Sequence, residues 1–291
     1  MKMTLLHPVA FFLAVFLTTV SCPGFAETAF KVCADPLNPP YSTQAQDGFE
    51  NKIAELFAKR LGQTLVYTWF PQRIGFLRNT LTAPMDEKSV DSKDFKCDVV
   101  MGMPEGSDMV LTTQPYYSST YVLLIAQGRG WDDITDPRQL VTMPLQRQET
   151  LRIAMFDRGP GTEWLQKHDL LGQGVPYQSM SGDAGHNIAM QLDADFKAKK
   201  IDMAILWGPI ASYLITHNQK HSYRIMAMPQ TPGIRFEYSM SMAVRNGDKE
   251  RKAKLDQLIR DNLLDLQKIL DAYQIPRAAF PNATGHVGDD E

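Results

Sequence analysis

Residues 97–126, CDVVMGMPEGSDMVLTTQPYYSSTYVLLIA, constrain the fold more than any other stretch. They hold a buried-looking strand at 99–101, a Gly-Met-Pro break, a polar loop around Asp108, a Tyr-Tyr pair and an apolar strand at 121–126. That second strand is too long and too hydrophobic for a surface edge, so both of its faces need cover. A strand that ends in a loop, followed by one that leaves toward a new segment, is how one lobe hands over to another. The loop between them then faces a cleft.

Residues 1–26 read as an export signal. Lys2 is the one charge before the apolar run 9–20, which is too short to span a bilayer and suits a signal core. Gly24 and Ala26 supply the small residues that place cleavage before Glu27. Ser21-Cys22 offers a lipid-attachment alternative, to which Thr19 is a poor match. No later stretch reaches about 20 consecutive apolar residues, so the mature chain is expected to lack a membrane span. The rest of the 291 residues suffices for two lobes, each with its own core. Lys and Arg are spread through a chain of formal net charge −3, so no footprint for nucleic acid or acidic lipid is present. Of three cysteines, Cys33 and Cys97 follow the signal. In an oxidising compartment such a pair favours a disulfide, with two buried thiols in neighbouring strands as the alternative.

A short strand is expected at 30–34, and the Pro-rich run 36–40 ends it, because Pro donates nothing to a ladder. Residues 47–62 read as a helix with an apolar face of Phe49, Ile53, Leu56, Phe57 and Leu61, a capping box between Asp47 and Glu50, and Gly62 as its stop. Strand 64–70 and a short helix at 74–81 follow. Residues 82–96 have no period and read as a surface insertion, whose acids Asp86, Glu87, Asp91 and Asp94 are spaced unlike a calcium loop. Strand–helix–strand–helix–strand predicts a parallel sheet whose ligands meet the carboxyl ends of the strands, here 35–41 and 101–104. After a connector at 127–144, a second series is expected: strand 151–156, a helix from about 163, helix 188–199, strand 201–206, helix 208–216 and strand 223–228. Residues 238–244 alternate and read as a strand returning to the first lobe. A charged helical tail at 248–273 precedes a disordered end at 285–291.

No nucleophile elbow, glycine-rich phosphate loop, HExxH or dinucleotide fingerprint occurs, so neither an enzyme nor a cofactor is expected. His217 and His221 have ligand-like spacing but no companion acid or cysteine, so they read as a solvated helix end rather than a metal site. Aromatic and Met residues gather at the predicted strand ends: Tyr41, Met101, Met103, Met109, Tyr116, Tyr117 and Trp207. With Asp35, Glu50, Asp108, Gly161 and Thr162, these are the candidates to line the cleft. The turn before the helix at 163 has backbone N–H groups able to hold an anion, although an ordinary strand-to-helix turn explains it as well.

In this order of segments the chain resembles the family 3 periplasmic solute-binding proteins. Gly48-Phe49-Glu50, CDVVMG at 97–102, Pro115-Tyr116-Tyr117, Ala243-Val244-Arg245 and Gly247-Asp248 all fall in that family's order. VCADP (32–36), GFENKIAELFA (48–58), WFPQRIGFLRNTL (69–81), LTTQPYYSSTYV (111–122) and WGP (207–209) are similar to its quinoprotein-dehydrogenase-associated branch, the MxaJ and XoxJ proteins of methanol oxidation. The resemblance implies a type II periplasmic-binding-protein-like α/β fold, two lobes joined by two crossing strands. It also implies a periplasmic partner, a dehydrogenase that uses pyrroloquinoline quinone. The insertion at 82–96 is longer than the branch leads one to expect.

Amino-acid binders of the parent family hold the ligand carboxylate with an Arg after the third strand and its ammonium with an Asp in the second lobe. Here those regions read Met103-Pro104-Glu105-Gly106-Ser107-Asp108-Met109 and Ile205-Leu206-Trp207-Gly208, with neither residue. Burying a zwitterion without these partners is costly, so an ordinary amino acid is not the expected ligand. The expectation is a lobe of residues 27–122 and 238–291 and a second of 123–237. Its function is that of an accessory factor which binds, matures or activates the dehydrogenase. The alternative is the solute receptor of an ABC importer, which would dock on a permease.

Overall fold

The computed structural model describes residues 29–86, 94–179, 185–217 and 222–278. The expected signal segment, residues 87–93 of the insertion, His221 and the end at 285–291 lie outside them.

Chain order runs β1 (Ala29–Ala34), β2 (Leu37–Asn38), β3 (Ser42–Thr43), α1 (Phe49–Leu61), β4 (Thr64–Trp69), α2 (Phe76–Asn79), β5 (Val99–Pro104) and β6 (Leu111–Ala126). It continues with α3 (Gln139–Thr142), α4 (Leu145–Gln148), β7 (Ile153–Phe156), α5 (Pro160–Lys167), β8 (Gly174–Tyr177), α6 (Ile188–Lys197), β9 (Met203–Trp207), α7 (Gly208–His217) and β10 (Tyr223–Ala227). Last come β11 (Glu237–Val244), α8 (Lys249–Asp261) and α9 (Leu263–Ala272). The strands run β4-β1-β5-β11-β6-β9-β7-β8, with β10 also on β6. β1, β4 and β5 are parallel, as are β7, β8 and β9, while β6 and β11 run antiparallel to their neighbours.

The 16-residue β6 belongs to both halves of the molecule. Its first part pairs with β11 from Leu111↔Val244 to Thr120↔Glu237, and its last part pairs with β9 and β10. On the first half, Phe49, Ile53 and Phe57 of α1 pack with Val32, Val99, Met242 and Val244. On the second, Leu123, Ile125, Trp164, Met203 and Ile205 form a separate core, with Leu124, Phe196, Leu206 and Leu214 on the opposite face of the sheet. This is an α/β fold of two lobes, with β6 and β11 as the crossing strands.

Differences from expectation have local causes. β6 starts at Leu111 rather than at 121, because Pro115 is accommodated where the ladder with β11 shifts register around Ser241. Gly48, not Asp47, is the N-cap of α1. The side chain of Asn51 accepts the Gly48 N–H at 3.2 Å, Asp47 takes the Thr43 hydroxyl, and Glu50 turns inward. The tail is two helices, broken at Asn262, whose amide donates back to Leu258 O at 2.8 Å. β2, β3 and β8 were not expected. Cys33 and Cys97 are bridged, their Cα atoms 5.4 Å apart, which ties β1 to the approach of β5. Within the insertion, Met85 N–H to Asp94 O and Lys96 N–H to Ala83 O close its base in antiparallel fashion.

Candidate functional site

A cavity of about 280 Å³ opens between the two halves. From the first half come the loop after β1, the first turn of α1, the loop after β4 and the end of β5. From the second come the segment after β8, the N-terminus of α6 and the β9–α7 junction. The carboxyl ends of β1, β5, β8 and β9 therefore converge on it, as the parallel-sheet rule requires.

Of the residues singled out from sequence, Asp35, Tyr41, Glu50, Met101 and Trp207 line this cavity. Tyr116 stands directly behind it, accepting the Gly102 N–H at 3.1 Å and donating its hydroxyl to Glu50 Oε1 at 3.2 Å. Tyr117 is wholly buried in the core, edge-on to Phe49 with ring centroids 5.6 Å apart. Met103, Asp108, Met109, Gly161 and Thr162 are not among its lining residues. Met103 packs beside the disulfide. Asp108 and Met109 sit in the exposed loop between β5 and β6, which turns outward instead of over the cleft. Gly161 is pressed onto β9, where a Cβ would come within 2.7 Å of Ile205 Cγ2, and the Thr162 hydroxyl donates to Phe156 O at 2.6 Å. Both serve the packing of α5 against the sheet.

Glu50 is the distinctive group. It is only 8% exposed, and among the described residues no cation pairs with it. Burial pushes its carboxyl up to about 8, with the Tyr116 hydroxyl opposing that shift. The same burial raises Tyr41, Tyr116 and Tyr117, to which the nearby Glu50 charge adds. Asp35, by contrast, spends both oxygens on the backbone, accepting Leu37 N–H at 2.7 Å and Gln72 N–H at 2.6 Å. Trp207 packs on Tyr121 and Tyr238 at 5.4 and 5.9 Å between ring centroids, which holds its ring at the cavity wall.

The sequence reading missed Asn38, Gln72, His186 and Asn187, all of which line the cavity. Asn187 caps α6, accepting from Ala189 and Met190 N–H at 2.9 and 3.2 Å. Its amide donates across the cleft to Leu37 O at 3.2 Å and Asn38 Oδ1 at 3.3 Å. An Asn immediately before an apolar helical run is an N-cap signature that the sequence carries openly. Its bond to the other half is not written there.

No family model matches the chain. It is 24% identical over 262 residues to MoxJ of Methylorubrum extorquens, covering 84% of this chain and 80% of that protein. The crystal structure of the periplasmic binding protein XoxJ from Methylobacterium extorquens AM1 superposes with a TM-score of 0.66 at 29% identity, over 87% of this chain and 100% of that one. MxaJ from Methlophaga aminisulfidivorans MPT superposes at 0.68 with 23% identity, over 86% and 100%, a likeness of fold. The chain is similar over most of its length to the MxaJ/XoxJ-like periplasmic binding proteins.

The site of this MxaJ/XoxJ-like chain is acidic and aromatic. Among the described residues no Arg or Lys lines the cavity, and Arg158 lines the adjoining one. Among the described residues no group of three or more His, Cys, Asp or Glu is placed to hold a metal ion, and no helix is long and apolar enough to cross a membrane.

Proposed function

We propose that this protein is a periplasmic accessory factor that binds, matures or activates a dehydrogenase using pyrroloquinoline quinone. The observation that supports it most directly is the similarity to XoxJ over almost the whole chain, joined to the branch motifs at 32–36, 69–81 and 111–122. The cavity supports it indirectly, since its described lining has no Arg of the kind that an amino-acid carboxylate needs. We take the lobes to divide as 27–122 with 238–291, and 123–237, with residues 1–26 removed on export. A binding rather than a catalytic role accords with the binding proteins it is similar to.

The test pairs purified protein with the dehydrogenase encoded in the same cell. A complex on size-exclusion chromatography, and lower dehydrogenase activity in a strain lacking this protein, are expected. Unaltered activity together with no complex would sink the reading.

A second reading, the solute receptor of an importer, is favoured by the Asn187 bonds that join the halves across the cavity. It expects a transported solute to raise the melting temperature and to close the cleft. Loss of uptake in the same strain, with normal dehydrogenase activity, would decide for it.

A further inference from the structure

We propose that the cavity binds a small organic monocation, an alkyl- or aralkylammonium without a carboxylate, with its charged head on Glu50. The site holds a buried acid for which the described residues supply no counter-charge. The groups that face Glu50 are Tyr41, Tyr67, Tyr116 and Tyr117, and none is a cation. Asp35 and His186 share the cavity; Asp35 is occupied by backbone donors and His186 is exposed. An ionised carboxylate can accept about four hydrogen bonds, and among the described residues Glu50 receives one, from Tyr116. The fold reserves room for this carboxyl: Gly102 has φ 65°, and a Cβ there would lie 2.3 Å from Glu50 Oε1. An acid kept only for packing would cost less as Gln or Met.

The remaining walls fit an amine's other parts. Tyr41 and Trp207 offer rings to an ammonium, whose attraction to aromatic faces grows as water is excluded. Met101, Met240, Ile188 and Ile210 offer an apolar lining to its body. A carboxylate ligand would meet Glu50 with no cation between them. A neutral alcohol can share a hydrogen bond with the carboxyl but supplies no charge to ionise it, so its binding gains nothing from the acid's negative form.

Burial holds Glu50 largely protonated at neutral pH. Binding of an ammonium therefore ionises it, and the carboxyl proton passes to the buffer, so one cation enters as one proton leaves. The inference holds whether the chain serves a dehydrogenase or an importer.

Isothermal titration of the mature protein with butylammonium and benzylammonium, and with 1-butanol and benzyl alcohol as neutral counterparts, tests it. At least one amine is expected to bind at one site, tightening by up to about tenfold per pH unit below pH 8. Titrations in two buffers of different ionisation enthalpy are expected to report release of close to one proton. Glu50→Gln is expected to weaken the amine by about 30-fold or more. A melting temperature for Glu50→Gln at or above wild type at pH 8 confirms that the variant folds, and the wild-type pH profile stands without it. Failure of both amines to bind, alcohols binding as tightly as amines, affinity that does not rise with pH, or an unchanged Glu50→Gln affinity each overturns the proposal.

Discussion

Glu50 makes the stability of the molecule pH-dependent in the sense opposite to most carboxylates. Its folded-state carboxyl lies at about 8 against an ordinary 4.5, so between these pH values the folded chain holds a proton that the unfolded chain has lost. Stability contributed by this group is complete below about pH 4.5 and declines as pH rises through 8. Above that, the buried charge costs about 3–5 kcal/mol. Urea unfolding of wild type and Glu50→Gln is expected to give similar midpoints at pH 5 and a growing advantage for the variant toward pH 9. Other titrating groups cancel in that difference; a gap that stays constant with pH would place the carboxyl in water. Gly102→Ala acts on the same contact from the other side. It forces a left-handed φ on a residue with a side chain and drives a methyl into the carboxyl, so a loss of about 1–3 kcal/mol or more is expected in the same unfolding measurement.

Among the elements, the disulfide and the long crossing strand carry the first half. Cys33 and Cys97 are almost fully buried, and the bridge closes a loop of sequence separation 64. By loop-closure entropy it contributes about 4 kcal/mol. The double variant Cys33→Ala/Cys97→Ala is expected to keep the fold, since β1 and β5 remain paired through Val32↔Val99, while its denaturation midpoint falls accordingly. An unchanged midpoint would show that the reduced chain is already held together by that pairing. What the sequence made legible follows from where each element's partners lie. α1 was readable because Phe49, Ile53 and Phe57 sit one turn apart and need nothing remote to explain them. The start of β6 was not. Its Ser118 and Ser119 look like loop residues, yet Ser118 bonds Ser239 on β11 at 3.1 Å and Ser119 donates to Pro276 O at 2.5 Å. Polar residues become strand residues when donors and acceptors more than a hundred positions away satisfy them. The cavity divides in the same manner. Tyr41, Glu50 and Met101 lie at strand and helix ends that periodicity locates, whereas Asn187 meets Leu37 and Asn38 only through the packing of one half on the other.

At the scale of the whole molecule, two lobes joined by crossing strands are expected to hinge, and the direct bonds at the cavity between them would oppose opening. β6 and β11 run continuously between the halves and can bend without breaking their ladders, so closure depends on what meets across the cavity. Asn187 supplies two such bonds, to Leu37 O and Asn38 Oδ1. Neutral hydrogen bonds contribute about 0.5–1.5 kcal/mol each, so the pair shifts the closed-to-open ratio by about 5- to 150-fold. Asn187→Asp separates this role from capping. The carboxylate still accepts from Ala189 and Met190 N–H and suits a helix N-terminus, so α6 and the melting temperature are expected to hold. Facing two acceptors on the other half, it has nothing to donate and repels them. Small-angle scattering of the ligand-free variant is expected to show a larger radius of gyration than wild type. Identical scattering curves with an unchanged melting temperature would mean that packing around the cavity, rather than Asn187, holds the halves together.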